Sequence, residues 1–312
     1  MTVNNTYAFN QPFAIASDGS NVWVANSAGN SLTEVKASDG SWVRNLSGGS
    51  YGFDGVSGIA FGGTHLWVAN NSGNSVTEVN ASDGSWVQTL SGGSYGFNGP
   101  HVMAYDGSHL WVGNQSGGSV TELNASDGSW VRTVSGGSYG FNNIYAITYD
   151  GSHLWVANTA GNSVTELNAS DGSWVQTLTG GSYGFNDPTA IAFDGVHLWV
   201  ANAGGPSVTE INPSDGSWLR TVSGSSYGFG NPNGIVFADN HLWVPNYTKN
   251  SVTELNASDG SWVQTLSGGS YGFDLPIGIA FDGTHLWVTN LFGNSVTEMN
   301  ASDGSWVRTL SN

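Results

Sequence analysis

The pentapeptide Ser-Asp-Gly-Ser-Trp occurs seven times, with its Trp at positions 42, 86, 130, 174, 218, 262 and 306, always 44 residues apart. No insertion or deletion interrupts the phase. A second Trp column runs through Trp23, Trp67, Trp111, Trp155, Trp199, Trp243 and Trp287, and Tyr and Phe columns of the same period begin at Tyr7 and Phe9. A unit of this size cannot bury both of its faces alone, so the repeats must shield one another.

Within the second copy, Gly58-Ile59-Ala60-Phe61 is short and apolar, and a Gly62-Gly63 turn leads into His65-Leu66-Trp67-Val68-Ala69. After a small polar loop, Asn70 to Asn74, come Ser75-Val76-Thr77-Glu78-Val79, the Asp83-Gly84 turn, and Trp86-Val87-Gln88-Thr89-Leu90. Runs of about five residues rich in Val, Thr, Ile and aromatics read as strands A to D. Asp-Gly suits the tight hairpin between C and D, because its second position requires φ > 0. No segment carries a helical period.

Four antiparallel strands per 44-residue copy make a propeller blade, so the expected fold is all-β, a seven-bladed β-propeller spanning 1–312 as one domain. The blades fall at approximately 11–46, 55–90, 99–134, 143–178, 187–222, 231–266 and 275–310. Since strands A to D of each copy are contiguous, no strand is expected to be exchanged where blade 7 meets blade 1, and face packing must close the ring.

The order of the repeat is a glycine-rich lead-in, Phe, Pro, then motifs such as Ile191-Ala192-Phe193-Asp194-Gly195, Leu154-Trp155-Val156-Ala157-Asn158 and Gly161-Asn162-Ser163-Val164-Thr165-Glu166. It resembles the NHL and YVTN repeat families and the streptogramin lyase propellers along the whole chain. The resemblance implies a seven-bladed ring. Its motifs are structural and shared by many functions, so it speaks to fold rather than activity.

Composition removes several classes of function. Six Lys plus Arg stand against 23 Asp plus Glu, a formal charge of −17 that repels phosphate backbones and anionic membranes. No apolar run is long enough to span a bilayer. Cysteine is absent, so disulfides and thiolate metal sites are excluded. Met1 to Asn5 lack the charged and apolar regions of a signal peptide. Asn-Ala-Ser triplets at Asn80, Asn124, Asn168, Asn256 and Asn300 sit at tight hairpins and read as turn residues, which favours a bacterial origin; cytoplasmic and exported locations both stay open.

Most repeated polar residues read as structural. Six histidines, from His65 to His285, precede the second Trp column, but copies of one position spread around a ring and cannot converge on one metal ion. The Asn column from Asn26 to Asn290 ends strand B and can cap the following loop. The Glu column from Glu34 to Glu298 offers one carboxylate per blade, either solvated or locally paired, and no close carboxylate pair for acid–base catalysis. Arg44, Arg132, Arg220 and Arg308 alternate with Gln88, Gln176 and Gln264, which points to amplification of a two-blade unit. Both Trp columns are expected in the inter-blade core, and the Tyr-Gly-Phe lead-in is the better candidate for exposed stacking on a glycan.

A single asymmetric site can be built only where the copies differ. The start of strand A reads Phe13, Ser57, His101, Tyr145, Thr189, Asn233 and Ile277, and the B–C loop carries Tyr247, Thr248 and Lys249 in the sixth copy and Leu291 and Phe292 in the seventh. Antiparallel alternation puts both sets around one mouth of the central channel. The expected ligand-binding residues are therefore Phe13, His101, Tyr145, Asn233, Ile277, Tyr247, Lys249, Leu291 and Phe292, with no catalytic residue, metal or cofactor. A lyase of the streptogramin type implies a histidine and carboxylate cluster with a divalent ion, yet only His101 breaks the symmetry, with Asp187 and Asp274 at other strand A starts. The leading expectation is a monomeric, non-enzymatic binding scaffold for a small molecule, glycan or protein. A multivalent lectin, a lyase, and a recently amplified or engineered ring without a selected ligand are the alternatives.

Overall fold

The computed structural model describes residues 6–312, and the reading of Met1 to Asn5 as free of a signal peptide lies outside them. Seven four-stranded antiparallel sheets stand in a ring, each built from consecutive strands in the order A-B-C-D. Blade 1 comprises Pro12–Ser17, Asn21–Asn26, Ser31–Lys36 and Trp42–Ser47, and blade 2 comprises Val56–Gly62, His65–Asn70, Ser75–Asn80 and Trp86–Ser91. No strand is exchanged at the closure.

Strands B and C are covered by neighbouring blades on both faces, so Leu66, Trp67, Val68 and Ala69 are all fully buried without the alternation of a one-sided sheet. Trp23 of blade 1 packs with Val56, Leu66, Val68 and Val79 of blade 2 in one cluster. Each such indole removes on the order of 200 Å² from water, about 5 kcal/mol per blade interface at 25 cal/mol/Å². Radial sheets diverge outward, and the lead-in before strand A fills the widening gap. Tyr51 and Phe53 stack at 5.1 Å, Phe53 is buried in the cluster, and the Tyr51 hydroxyl donates to the Gly84 carbonyl at 2.8 Å. The Tyr-Gly-Phe segment is therefore a wedge, and the expectation that it is the exposed stacking platform is corrected.

The expectation for the tryptophans of the Ser-Asp-Gly-Ser-Trp pentapeptide is corrected as well. Trp86 and its counterparts at the start of strand D are 45% to 47% exposed in six blades. In every blade the C–D register slips by one residue just after the Glu, so that Val79 lies opposite Trp86 although Glu78 lies opposite Gln88. This bulge breaks the inside–outside alternation and brings two consecutive residues, Trp86 and Val87, to the surface.

The seam between blades 7 and 1 repeats contacts made at other junctions. Trp287 packs with Val22, Val24 and Val35. Asn294 Oδ1 accepts from the Gln11 amide at 2.8 Å, as Asn30 accepts from Gly55 at 2.7 Å. The Arg308 guanidinium reaches the Asp39 carbonyl, as Gln88 reaches Asp127. One contact has no counterpart: Asn312 stands where the other copies have glycine, and its amide both accepts from Phe9 N at 2.9 Å and donates to Phe9 O at 2.8 Å.

Two blades depart from the pattern. A buried indole needs an acceptor for its N–H, and Asp106, Asp150, Asp194 and Asp282 supply it at 2.7 to 2.8 Å. Gly62 and Ala238 replace that Asp in blades 2 and 6, and among the described residues Trp67 and Trp243 Nε1 have no partner. In blade 6, Pro245 also takes the place of Ala or another N–H-bearing residue in strand B, and strand A shortens to Val236–Ala238 because one ladder donor is missing. Replacing Asp194 by Ala strands a buried N–H and is expected to lower stability by about 2 kcal/mol in denaturant unfolding. Asp239→Asn, in the turn of the blade that already lacks this bond, is expected to change it by less than about 0.5 kcal/mol.

Candidate functional site

Strands A line the channel, and the residue at the start of each is the one that differs from copy to copy. Phe13, Ser57, His101, Tyr145, Thr189, Asn233 and Ile277 all line one cavity of about 220 Å³, whose deeper ring is Ile15, Ile59, Met103, Ile147, Ile191, Ile235 and Ile279. No Asp, Glu, Lys or Arg lines it. Gly58 lets the neighbouring strand come close, since a Cβ there would collide with the His101 carbonyl.

The lining divides into two arcs. On one side Phe13 meets His101 edge-on at 5.8 Å, and His101 lies against Tyr145 at 4.6 Å, forming a continuous aromatic wall. The polar groups of the ring are already engaged: Ser57, between Phe13 and His101 in blade order, donates from Oγ to Pro100 O at 3.2 Å, and in the other arc Thr189 Oγ1 donates to Pro232 O at 2.8 Å and Asn233 Nδ2 to Asn231 Oδ1 at 2.6 Å. Ile277 completes the ring as a buried apolar residue.

His101 is 8% exposed. Burial pulls its pKa from 6.5 down to about 4, with no charge or hydrogen bond offsetting it, so the imidazole is neutral near pH 7. Burial raises the Tyr145 phenol, and the nearby Tyr247 hydroxyl adds to the shift.

The B–C loops stand on the same face as the strand A starts, since Ser27 N donates to Gln11 O and Tyr247 N to Asn231 O. Tyr247 to Lys249 form one turn of 3-10 helix, with Tyr247 half-buried beside the mouth. The Lys249 stem instead lies over Gly230 of its own lead-in. Phe292 is 60% exposed on the seventh blade beside the half-buried Leu291. The structure thus brings Phe13, His101, Tyr145, Asn233 and Ile277 into one cavity, sets Tyr247 at its edge, and leaves Lys249, Leu291 and Phe292 outside its lining.

The repeated carboxylates are structural. Each Glu is buried on strand C, in six blades between a His at the start of strand B and an Arg or Gln of strand D, with Asn21 in the His position of blade 1: Glu210 lies 3.1 Å from His197 and 2.6 Å from Arg220, and Glu78 accepts from Gln88 at 2.7 Å. Arg and Gln share one task, since either donates both to this Glu and to the turn carbonyl of the next blade. Burial raises the carboxyls of Glu34, Glu122, Glu166, Glu210, Glu254 and Glu298, Glu34 to about 7 in spite of Arg44 at 2.7 Å. Among the described residues no group of three metal-ligating side chains converges.

His101 gives the cavity a pH signature. The unfolded chain protonates this histidine near 6.5 and the folded one only near 4, so its contribution to stability is present above 6.5 and is lost as pH falls toward 4. Glu34 acts with the opposite sign, its folded form holding a proton that the unfolded form releases, so that its contribution falls as pH rises from 4.5 to about 7. The difference between wild type and His101→Gln isolates the first effect. Wild type is expected to lose on the order of 3 kcal/mol relative to the variant between pH 7 and pH 4 in urea unfolding.

No family model matches this sequence, and no curated protein does. Solved structures match it in shape. A streptogramin B lyase superimposes with a TM-score of 0.78 at 18% identity, covering 94% of each chain. The hydrazine synthase of Kuenenia stuttgartiensis gives 0.77 at 17% identity over 97% of this chain and 99% of the other. A catalytically inactive virginiamycin B lyase from Staphylococcus aureus, crystallised with quinupristin, gives 0.74 at 18% identity over 96% of each. The neighbours span different chemistries at low identity, so what the chain shares with them is the seven-bladed β-propeller fold.

Proposed function

We propose that this propeller is a non-enzymatic binding module whose channel mouth takes one small, uncharged, planar ligand against the Phe13, His101 and Tyr145 wall. The observation that carries this reading is the convergence of all seven differing strand A residues on one cavity within an otherwise repeated ring. Its volume of about 220 Å³ suits a molecule of one or two rings, since an apolar cavity of about 150 Å³ accommodates benzene. The uncharged lining supplies no counter-ion for an ionic ligand, and neutral His101 offers one donor and one acceptor to fix orientation.

Catalysis of the lyase kind finds little support in this lining, which pairs His101 with no carboxylate. Quinupristin incubated with the protein and magnesium is expected to remain intact by mass spectrometry. Cleavage that disappears in His101→Ala would move the chain to the enzymes.

Binding itself is tested with a library of uncharged aromatic fragments observed by protein NMR. The expected result is saturable 1:1 binding that weakens at least tenfold in Phe13→Ala and in His101→Ala and persists in Phe292→Ser. Absence of any hit, or hits indifferent to Phe13 and His101, would overturn the reading.

A further inference from the structure

The outer wall carries a second repeated feature that the channel does not use. Trp86, Trp130, Trp174, Trp218, Trp262 and Trp306 form a belt of indoles, each 45% to 47% exposed, with exposed aliphatic neighbours such as Val87, Leu219 and Val263. Each Nε1 donates to the threonine three residues on, at 3.0 Å for Trp86 and Thr89, and Thr89 in turn donates to the Tyr51 carbonyl at 3.1 Å. The ring is thus held in one orientation by the lead-in wedge, and its hydrogen-bonding edge is occupied. What remains for a partner is the flat π face. Three residues earlier in the same pentapeptide stands the exposed carboxylate of Asp83, whose Oδ1 accepts from Ser85 N at 2.8 Å.

We infer that this belt is a multivalent carbohydrate-binding surface, each blade stacking its indole on the apolar face of one sugar ring of a neutral polysaccharide. Stacking suits a ligand with an apolar face and a hydroxylated edge, which an indole and a carboxylate of the same pentapeptide match together. Charge selects the neutral class. The chain carries −17, and all four arginines are committed to buried Glu34, Glu122, Glu210 and Glu298; the two remaining cations are Lys36, in the blade whose Trp42 is less exposed, and Lys249, which lies over Gly230, so the six exposed indoles have little to offer an acidic polymer. Geometry argues for a polymer, because the indoles recur once per blade around the ring, so that one long chain can engage several of them in turn. The seventh position differs: Trp42 is less exposed, and Asn45 replaces the threonine and donates to the Thr6 carbonyl instead. Six equivalent contacts give avidity from individually weak ones.

The test is retardation of the full chain in native gels containing a soluble β-1,3-glucan, a galactomannan or an arabinoxylan, with polygalacturonate as the acidic comparison. At least one neutral polymer is expected to retard the protein, and replacing the belt tryptophans by Ala in two, four and six blades is expected to remove the effect stepwise. The intact belt should exceed a single remaining indole by on the order of 100-fold in apparent affinity. Thermal unfolding verifies that each variant is folded; should the six-blade variant not fold, the two-blade variants still show the graded loss, and Trp→Phe at the same positions restores part of it. Phe13→Ala and His101→Ala leave retardation unchanged, which keeps this surface separable from the channel. The inference is overturned if no neutral polymer retards the protein, or if retardation survives loss of the belt. It is equally overturned if the belt instead drives self-association in sedimentation velocity or capture on phosphatidylcholine vesicles.

Discussion

Everything in this molecule depends on how a flat sheet set on a radius is covered on both sides. Near the axis the blades touch, and farther out they part. The Trp23 column and the lead-in Tyr and Phe fill that wedge of space, and each blade gives its indole to the next blade's interface rather than to its own. A blade taken alone would expose all of these groups, so the ring is the smallest unit in which the sequence can satisfy them.

The period, the four strands and the hairpins were legible because each rests on local chemistry: β-branched and aromatic runs for strands, Asp-Gly for the turn, an unbroken 44-residue phase for closure. The strand D tryptophans were not, because a bulge of one residue reverses which side of a strand faces out and leaves no mark on composition. The Tyr-Gly-Phe segment misled for a related reason: its glycines suggest an exposed loop, whereas its rings are drawn into a gap that exists only once seven blades stand together. Pro245, Gly62 and Ala238 were visible in the sequence as departures, but their meaning depended on partners, a ladder donor in one case and an indole N–H in the others.

For the candidate site, the principle that asymmetry within a repeat marks individuality leads to strand A residues that line one cavity together. The B–C loop residues named with them are placed differently. Only Tyr247 approaches the mouth; Lys249, Leu291 and Phe292 differ between copies without lining it. The residues that are the same in every blade tell a second story, because repetition at an exposed position cannot be explained by packing alone. The molecule therefore presents an individual interior and a uniform circumference, two surfaces of different symmetry on one ring.

The junction between the last blade and the first uses the indole packing of the other junctions and the two kinds of hydrogen bond that most of them share. The position of the chain ends is thus nearly arbitrary with respect to the fold. Joining the termini and opening the backbone in any other D-to-A connection would leave the same set of interfaces, apart from the Asn312 clamp on Phe9. A circularly permuted gene would encode the same object.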